Sequence, residues 1–176
     1  TTKGIPVTKP SDLEGIKIRC MDYPLAHNVV RALGGSPTPV SFTELYLALQ
    51  TGVVVGQENP ISNIYASKFY EVQDHVIFTN HSIHMGTLHV SESIWKTIPE
   101  EDQQLILGVF EKYRPIIEEK IDEVTEVAIK DMKARGIKFI EPDLDSFKEY
   151  ANKILMEAYG DDPEWMSVIN RIKAVN

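Results

Sequence analysis

Hydrophobic residues along this chain recur at two spacings, and the switches between them lay out alternating strands and helices. Ile16, Ile18 and Cys20 alternate with Lys17, Arg19 and Met21 in the period of a strand, after a turn at Ser11 to Gly15. Arg19 therefore stands near the strand's carboxyl end, where open α/β sheets gather ligands. Asp22 or Tyr23 is placed to cap a helix that Pro24 opens, Leu25, Val29, Val30 and Leu33 stripe, and Gly34-Gly35 ends. Ser36-Pro37-Thr38-Pro39 reads as an extended connection without regular structure.

Ser41-x-x-Glu44 is a capping-box pattern with Val40 and Leu45 as its staple, so a helix is expected there, striped by Phe42, Leu45, Tyr46 and Leu49. Gly52 suits its left-handed C-terminal position. The run Val53 to Val55 predicts a strand buried on both faces of a parallel sheet. Asn59-Pro60 predicts the N-cap and first position of a helix carrying Ile61, Ile64, Tyr65, Phe69 and Val72. Val76 to Thr79 and Met85 to Val90 read as short strands. From Leu105 to Met132, apolar residues spaced by three or four predict one helix of roughly 35 residues, which Pro115 should kink. A strand at Ile137 to Ile140 follows Gly136. Two helices then carry Phe147, Tyr150, Ile154 and Ala158, and, after Asp162-Pro163, Trp165, Val168, Ile169 and Ile172.

Composition narrows what such a chain does. No apolar run approaches the roughly 18 residues of a membrane span, so the chain is not expected to be membrane-embedded. A net charge of −8, without a Lys/Arg stripe, argues against nucleic acid as a partner. The single cysteine, Cys20, excludes an internal disulfide and a cysteine-rich zinc motif. A start at Thr1 without a leader points to a processed product or an excised piece.

An arginine at a strand end is suited to a carboxylate, which guanidinium grips through two parallel charge-assisted hydrogen bonds. The plainer alternative pairs Arg19 with Asp22 at the surface. Asn59 is fully explained by helix capping, and Phe42 by its place in an apolar stripe. His81, His84 and His89 lack a metal spacing, because the strand period puts His84 opposite the other two. No H-E-x-x-H, G-x-S-x-G, P-loop or G-x-G-x-x-G is present, so catalysis and dinucleotide binding have no anchor.

The run SFTELYLALQTGVVVGQENPISNIYASKFYEVQDHVIFTNH, with GIKIR and LGGSPTPV before it and SIWKTIPEEDQQ after it, resembles the substrate-binding proteins of TRAP (tripartite ATP-independent periplasmic) transporters, C4-dicarboxylate-binding type. The resemblance implies an α/β, periplasmic-binding-protein-like (type II) lobe with a long connecting helix, lacking most of the N-terminal lobe. It divides the chain into a ligand-binding lobe (1–83), a crossover strand with the lobe-spanning helix (84–135) and completing C-terminal elements (136–176). It implies a periplasmic or extracellular protein, without enzymatic activity or cofactor, that binds an organic acid and delivers it to TRAP membrane subunits.

Carried over by position, Arg19 resembles the arginine that clamps the ligand carboxylate, Asn59 an amide donor to it, and Phe42 the aromatic that packs on it. His84 falls where such proteins often add contacts. Val55 stands where the family usually has Asp, and Cys20-Met21 where it often has Val-Pro. Loss of the opposite lobe should expose apolar surface at Met85 to Val90 and on the long helix, and so favour a homo-oligomer. The alternative is a stand-alone interaction or oligomerisation module derived from the same scaffold.

Overall fold

The computed structural model describes residues 1–83 and 86–175. Among these residues five short strands are joined mainly by helices: β1 (Lys17–Cys20), β2 (Ser36–Pro39), β3 (Gly56–Gln57), β4 (His75–Ile77) and β5 (Lys138–Ile140). β1 pairs parallel with β2 on one side and β3 on the other, while β4 pairs parallel with β5. Parallel pairs need crossovers, and here helices supply them. α1 (Pro24–Ala32) links β1 to β2, and the 35-residue α5 (Glu100–Ala134) lies between β4 and β5.

Thr2 joins the two sheets by forming antiparallel bridges to Gly56 and His75. The approach at Gly56 is so close that a Cβ there would lie 2.3 Å from the Thr1 carbonyl oxygen. Glycine is required at that crossing.

Two apolar clusters hold these layers. Ile18 and Cys20 pack with Val7, Leu13, Val30 and Phe147, the last from α6 (Leu144–Tyr159). Leu45 and Leu49 of α2 (Leu45–Thr51) pack with Val54, Phe69, Ala128 and Met132, which ties the end of α5 to this region. Because strand side chains alternate, Arg19 projects from the face of β1 opposite Ile18 and Cys20.

Several expectations needed correction. Ser36–Pro39 is a strand, because it lies at the sheet edge, and the donors facing β1 come from Ser36 and Val40, not from the intervening prolines. Val53 to Val55 is a bend, with Val53 half-exposed and Val54 fully buried, and the strand begins three residues later at Gly56. The helix from Ile61 stops at Ala66, where Lys68 adopts a left-handed φ of 56°, and resumes as the single turn Phe69–Glu71.

Of the strand expected at Met85 to Val90, Met85 lies outside the described residues, and residues 86–90 form no strand. The capping box also fails to form. Ser41 Oγ donates to Glu44 Oε2 at 2.6 Å, and a 3-10 turn at Phe42–Glu44 precedes α2. Leu25 is exposed, and α1 buries Ala26 and Val30 instead. Charged pairs along α5 and its C-cap join Glu111 and Glu118 to Arg114, Lys120 to Glu123, and Asp131 to Arg135.

The apolar surface expected on the long helix is present. Leu105, Ile117, Ile121 and Val127 are each more than half exposed, as are Ile83 and Leu88 before the helix.

Candidate functional site

The carboxyl end of β1 delivers Arg19 into the fold rather than onto its surface. The residue is 4% exposed. Its Nε donates to the Val40 carbonyl oxygen at 2.8 Å, which fixes one edge of the guanidinium against the segment following β2. Its Cζ lies 5.8 Å from the centroid of the Phe42 ring, within cation–π range. Phe42 remains half-exposed, and it meets the buried Phe69 in an edge-to-face contact with centroids 5.8 Å apart. The core thus holds the ring that holds the guanidinium.

Asp22 is not the partner of Arg19. It is exposed and faces His27 at 3.5 Å, and no carboxylate among the described residues lies within ion-pair distance of Arg19. Burial lowers the pKa of Arg19 from its ordinary value, while the negative field of Glu58 opposes the shift. An arginine stays charged through such a shift. The result is a desolvated cation beside an aromatic ring, able to take an anion.

Asn59 follows β3, where Gln57 is the register partner of Arg19 across the β1–β3 pair. The capping role expected of Asn59 is not used. Pro60 occupies the N-cap position of α3 (Ile61–Ala66), and Asn59 Nδ2 donates to Gln57 Oε1 at 2.5 Å. Asn59 lines a cleft of about 580 Å³ together with Gln57, Glu58, Ile61 and His81; Arg19 and Phe42 do not line it. Arg19 and Phe42 are therefore in contact, whereas Asn59 is connected to the Arg19 strand through Gln57.

His84 lies outside the described residues. His81 places Nε2 3.5 Å from Glu58 Oε2 and Nδ1 2.7 Å from Thr79 Oγ1, and His89 Nε2 lies 2.6 Å from Thr87 Oγ1. Among the described residues no group of histidines, cysteines and carboxylates could hold a metal ion. Sequence reasoning missed Gln57, which is 2% exposed and the hub of the polar contacts behind Asn59. Its signal was available as a polar residue in an otherwise apolar strand end.

Residues 1–162 match the family described as bacterial extracellular solute-binding protein, family 7. The chain belongs to this family. Family 7 is a family of solute-binding proteins, in agreement with a binding protein rather than an enzyme. This family 7 chain is 34% identical over 157 residues to the sialic acid-binding periplasmic protein SiaP of Vibrio cholerae, covering 89% of its own length and 49% of that protein's.

Among solved structures, it superposes with a TM-score of 0.86 at 30% identity on a TRAP periplasmic solute-binding protein from Roseobacter denitrificans bound to 3-deoxy-D-manno-oct-2-ulosonic acid, covering 98% of this chain and 56% of that one. The periplasmic ectoine-binding protein of the TeaABC TRAP transporter of Halomonas elongata gives 0.80 at 31% identity, covering 91% and 55%. The α/β binding-protein fold with its long helix is thus shared, and the chain spans about half the length of these relatives. They are periplasmic proteins, and no helix among the described residues is long and apolar enough to cross a membrane.

Proposed function

We propose that this chain forms the carboxylate-holding half of a TRAP-type periplasmic solute-binding protein, with Arg19 as the anion clamp, Phe42 as the ring packed on the ligand and Asn59 as an amide donor. The observation that carries the proposal is the buried guanidinium of Arg19. Its Nε is committed to Val40, and no carboxylate among the described residues lies within ion-pair distance to consume its charge. A desolvated cation in that setting is costly unless an anion supplies the missing interaction, and a ligand carboxylate matches its forked donors. The bound acid is then delivered to membrane subunits without chemical change.

The relatives named for sialic acid, 3-deoxy-D-manno-oct-2-ulosonic acid and ectoine support organic acids as a class. A C4-dicarboxylate is the narrower expectation within it. In the complete protein a second lobe closes over the acid, and contacts made only in the closed form drive the closure. The division into residues 1–83, 84–135 and 136–176 belongs to the same proposal.

A thermal-shift series tests the proposal, because a ligand that binds only the folded protein raises its apparent stability. Sialic acid, 3-deoxy-D-manno-oct-2-ulosonic acid, galacturonate, ectoine and succinate are each compared with an analogue lacking the carboxylate. At least one acid is expected to raise the midpoint while its analogue does not. Equal shifts with acid and analogue, or no shift with any acid, would contradict the clamp.

The exposed face of α5 supports a second, compatible proposal: without its other lobe the chain associates with itself. Light scattering over a concentration series is expected to show mass rising with concentration. A concentration-independent monomer would sink this reading and leave the clamp untouched.

A further inference from the structure

A chain of hydrogen bonds runs from a backbone carbonyl inside the protein to the side chain of Asn59. Gln73 is 4% exposed, and its Nε2 donates to the Val72 carbonyl oxygen at 2.9 Å. A carbonyl oxygen only accepts, so the amide of Gln73 has one orientation, with Oε1 on the other side. Oε1 accepts the Thr1 hydroxyl at 3.1 Å. The hydroxyl proton is thereby committed, and the Thr1 oxygen accepts from Gln57 Nε2 at 3.0 Å. Gln57 must then turn Oε1 toward Asn59 Nδ2, 2.5 Å away. Each link has one polarity because the link before it has one.

We infer that Gln57, anchored through Thr1 and Gln73 on the Val72 carbonyl, is a positioning residue that fixes the polarity of the Asn59 amide for an acceptor-only ligand group. An unrestrained asparagine beside a cleft can present either its oxygen or its N–H groups. Here the amide edge nearest Gln57, and hence nearest the β1–β3 pair that carries Arg19, is Nδ2. One of its hydrogens is used by Gln57 and the second is left to donate. A carboxylate accepts and does not donate, so the flipped amide would set oxygen against oxygen. Selection of a carboxylate over a neutral donor group thus has its source 14 residues beyond Asn59, in Gln73. This inference rests on the proposed carboxylate site.

Side-chain amide hydrogen exchange, followed by NMR on the isotope-labelled chain, tests the relay without any bound acid. The Asn59 amide is expected to exchange roughly tenfold more slowly than that of the exposed Asn80. Thr1→Val, which removes the hydroxyl and keeps the shape, should bring Asn59 to the Asn80 rate, and Thr1→Ser should restore protection. Loss of fold would accelerate backbone exchange as well, which separates a structural effect from a positioning one. Asn59 exchanging as fast as Asn80 in the unsubstituted chain, or unmoved by Thr1→Val, would overturn the inference. Acid binding that survives Arg19→Ala would instead overturn the carboxylate site while leaving the relay measurable.

Discussion

The two ends of α5 carry the same apolar periodicity but live in different surroundings. Near its C-terminus, Ala128 and Met132 are fully buried against Leu45, Leu49 and Phe69. Toward its N-terminus, Leu105, Val109, Ile117 and Ile121 occupy equivalent stripe positions and stand between 47% and 64% exposed. Periodicity therefore specifies that a helix forms and which face is apolar. It does not specify what covers that face. The buried end shows a partner supplied by this chain, and the other end a face that the described residues leave about half exposed.

The sharpest way to break that contrast is truncation at each end. Met132→Ala should destabilise the fold by about 2–5 kcal/mol, the range for a large buried side chain cut to a methyl. Ile117→Ala should move stability by no more than about 0.5 kcal/mol, as surface substitutions do. Chemical denaturation measures both, and equal losses would mean that both ends already belong to one core. Ile117→Ser should at the same time reduce self-association in light scattering.

A smaller effect probes how the buried end is fastened. Tyr65 donates to Asp131 Oδ2 at 3.1 Å, and Arg135 Nε donates to the same oxygen at 2.7 Å while its Cζ lies 5.3 Å from the Tyr70 centroid. Tyr65→Phe should lower the unfolding midpoint by less than Met132→Ala does, because Arg135 still satisfies Asp131. A larger fall would show that the hydroxyl, not the packing of Met132, secures the helix.

The smallest effect is a pH dependence at the turn Pro10–Leu13. The Thr8 N–H at 2.8 Å holds the carboxyl of Asp12 below the usual carboxylate range, aided by the Thr8 hydroxyl and the Lys9 N–H and opposed by burial. A depressed folded pKa gives stability that is full above the unfolded value of about 3.9 and is lost as pH falls through the folded value. Asp12→Asn should therefore be less stable than the parent at neutral pH and converge with it in strong acid. A constant difference at all pH values would contradict this.

Where local chemistry alone decides a feature, the sequence was legible. Gly52 ends α2 with φ 77°, and Asp162 caps α7 (Pro163–Lys173) by accepting from the Glu164 and Trp165 N–H groups. Leu105 to Met132 does form one helix, α5. Features that depend on neighbours were not legible. Pro37 and Pro39 sit in a strand only because that strand is an edge, and Asn59 leaves its helix uncapped because Gln57 offers a buried acceptor. Arg19 was recognisable as a strand-end arginine, but its burial and its contact with Phe42 arise from residues more than 20 positions away.

Arg19 is proposed to act as a forked clamp rather than as a buried point charge. Calorimetry of an organic acid against Arg19→Lys in the complete protein tests this most directly, since lysine keeps the charge and loses the paired donors. A fall in affinity of roughly 30-fold or more, corresponding to about 2 kcal/mol or more for a desolvated charge pair, is the expected result. Affinity unchanged by Arg19→Lys, with the substituted protein folded, would contradict the clamp.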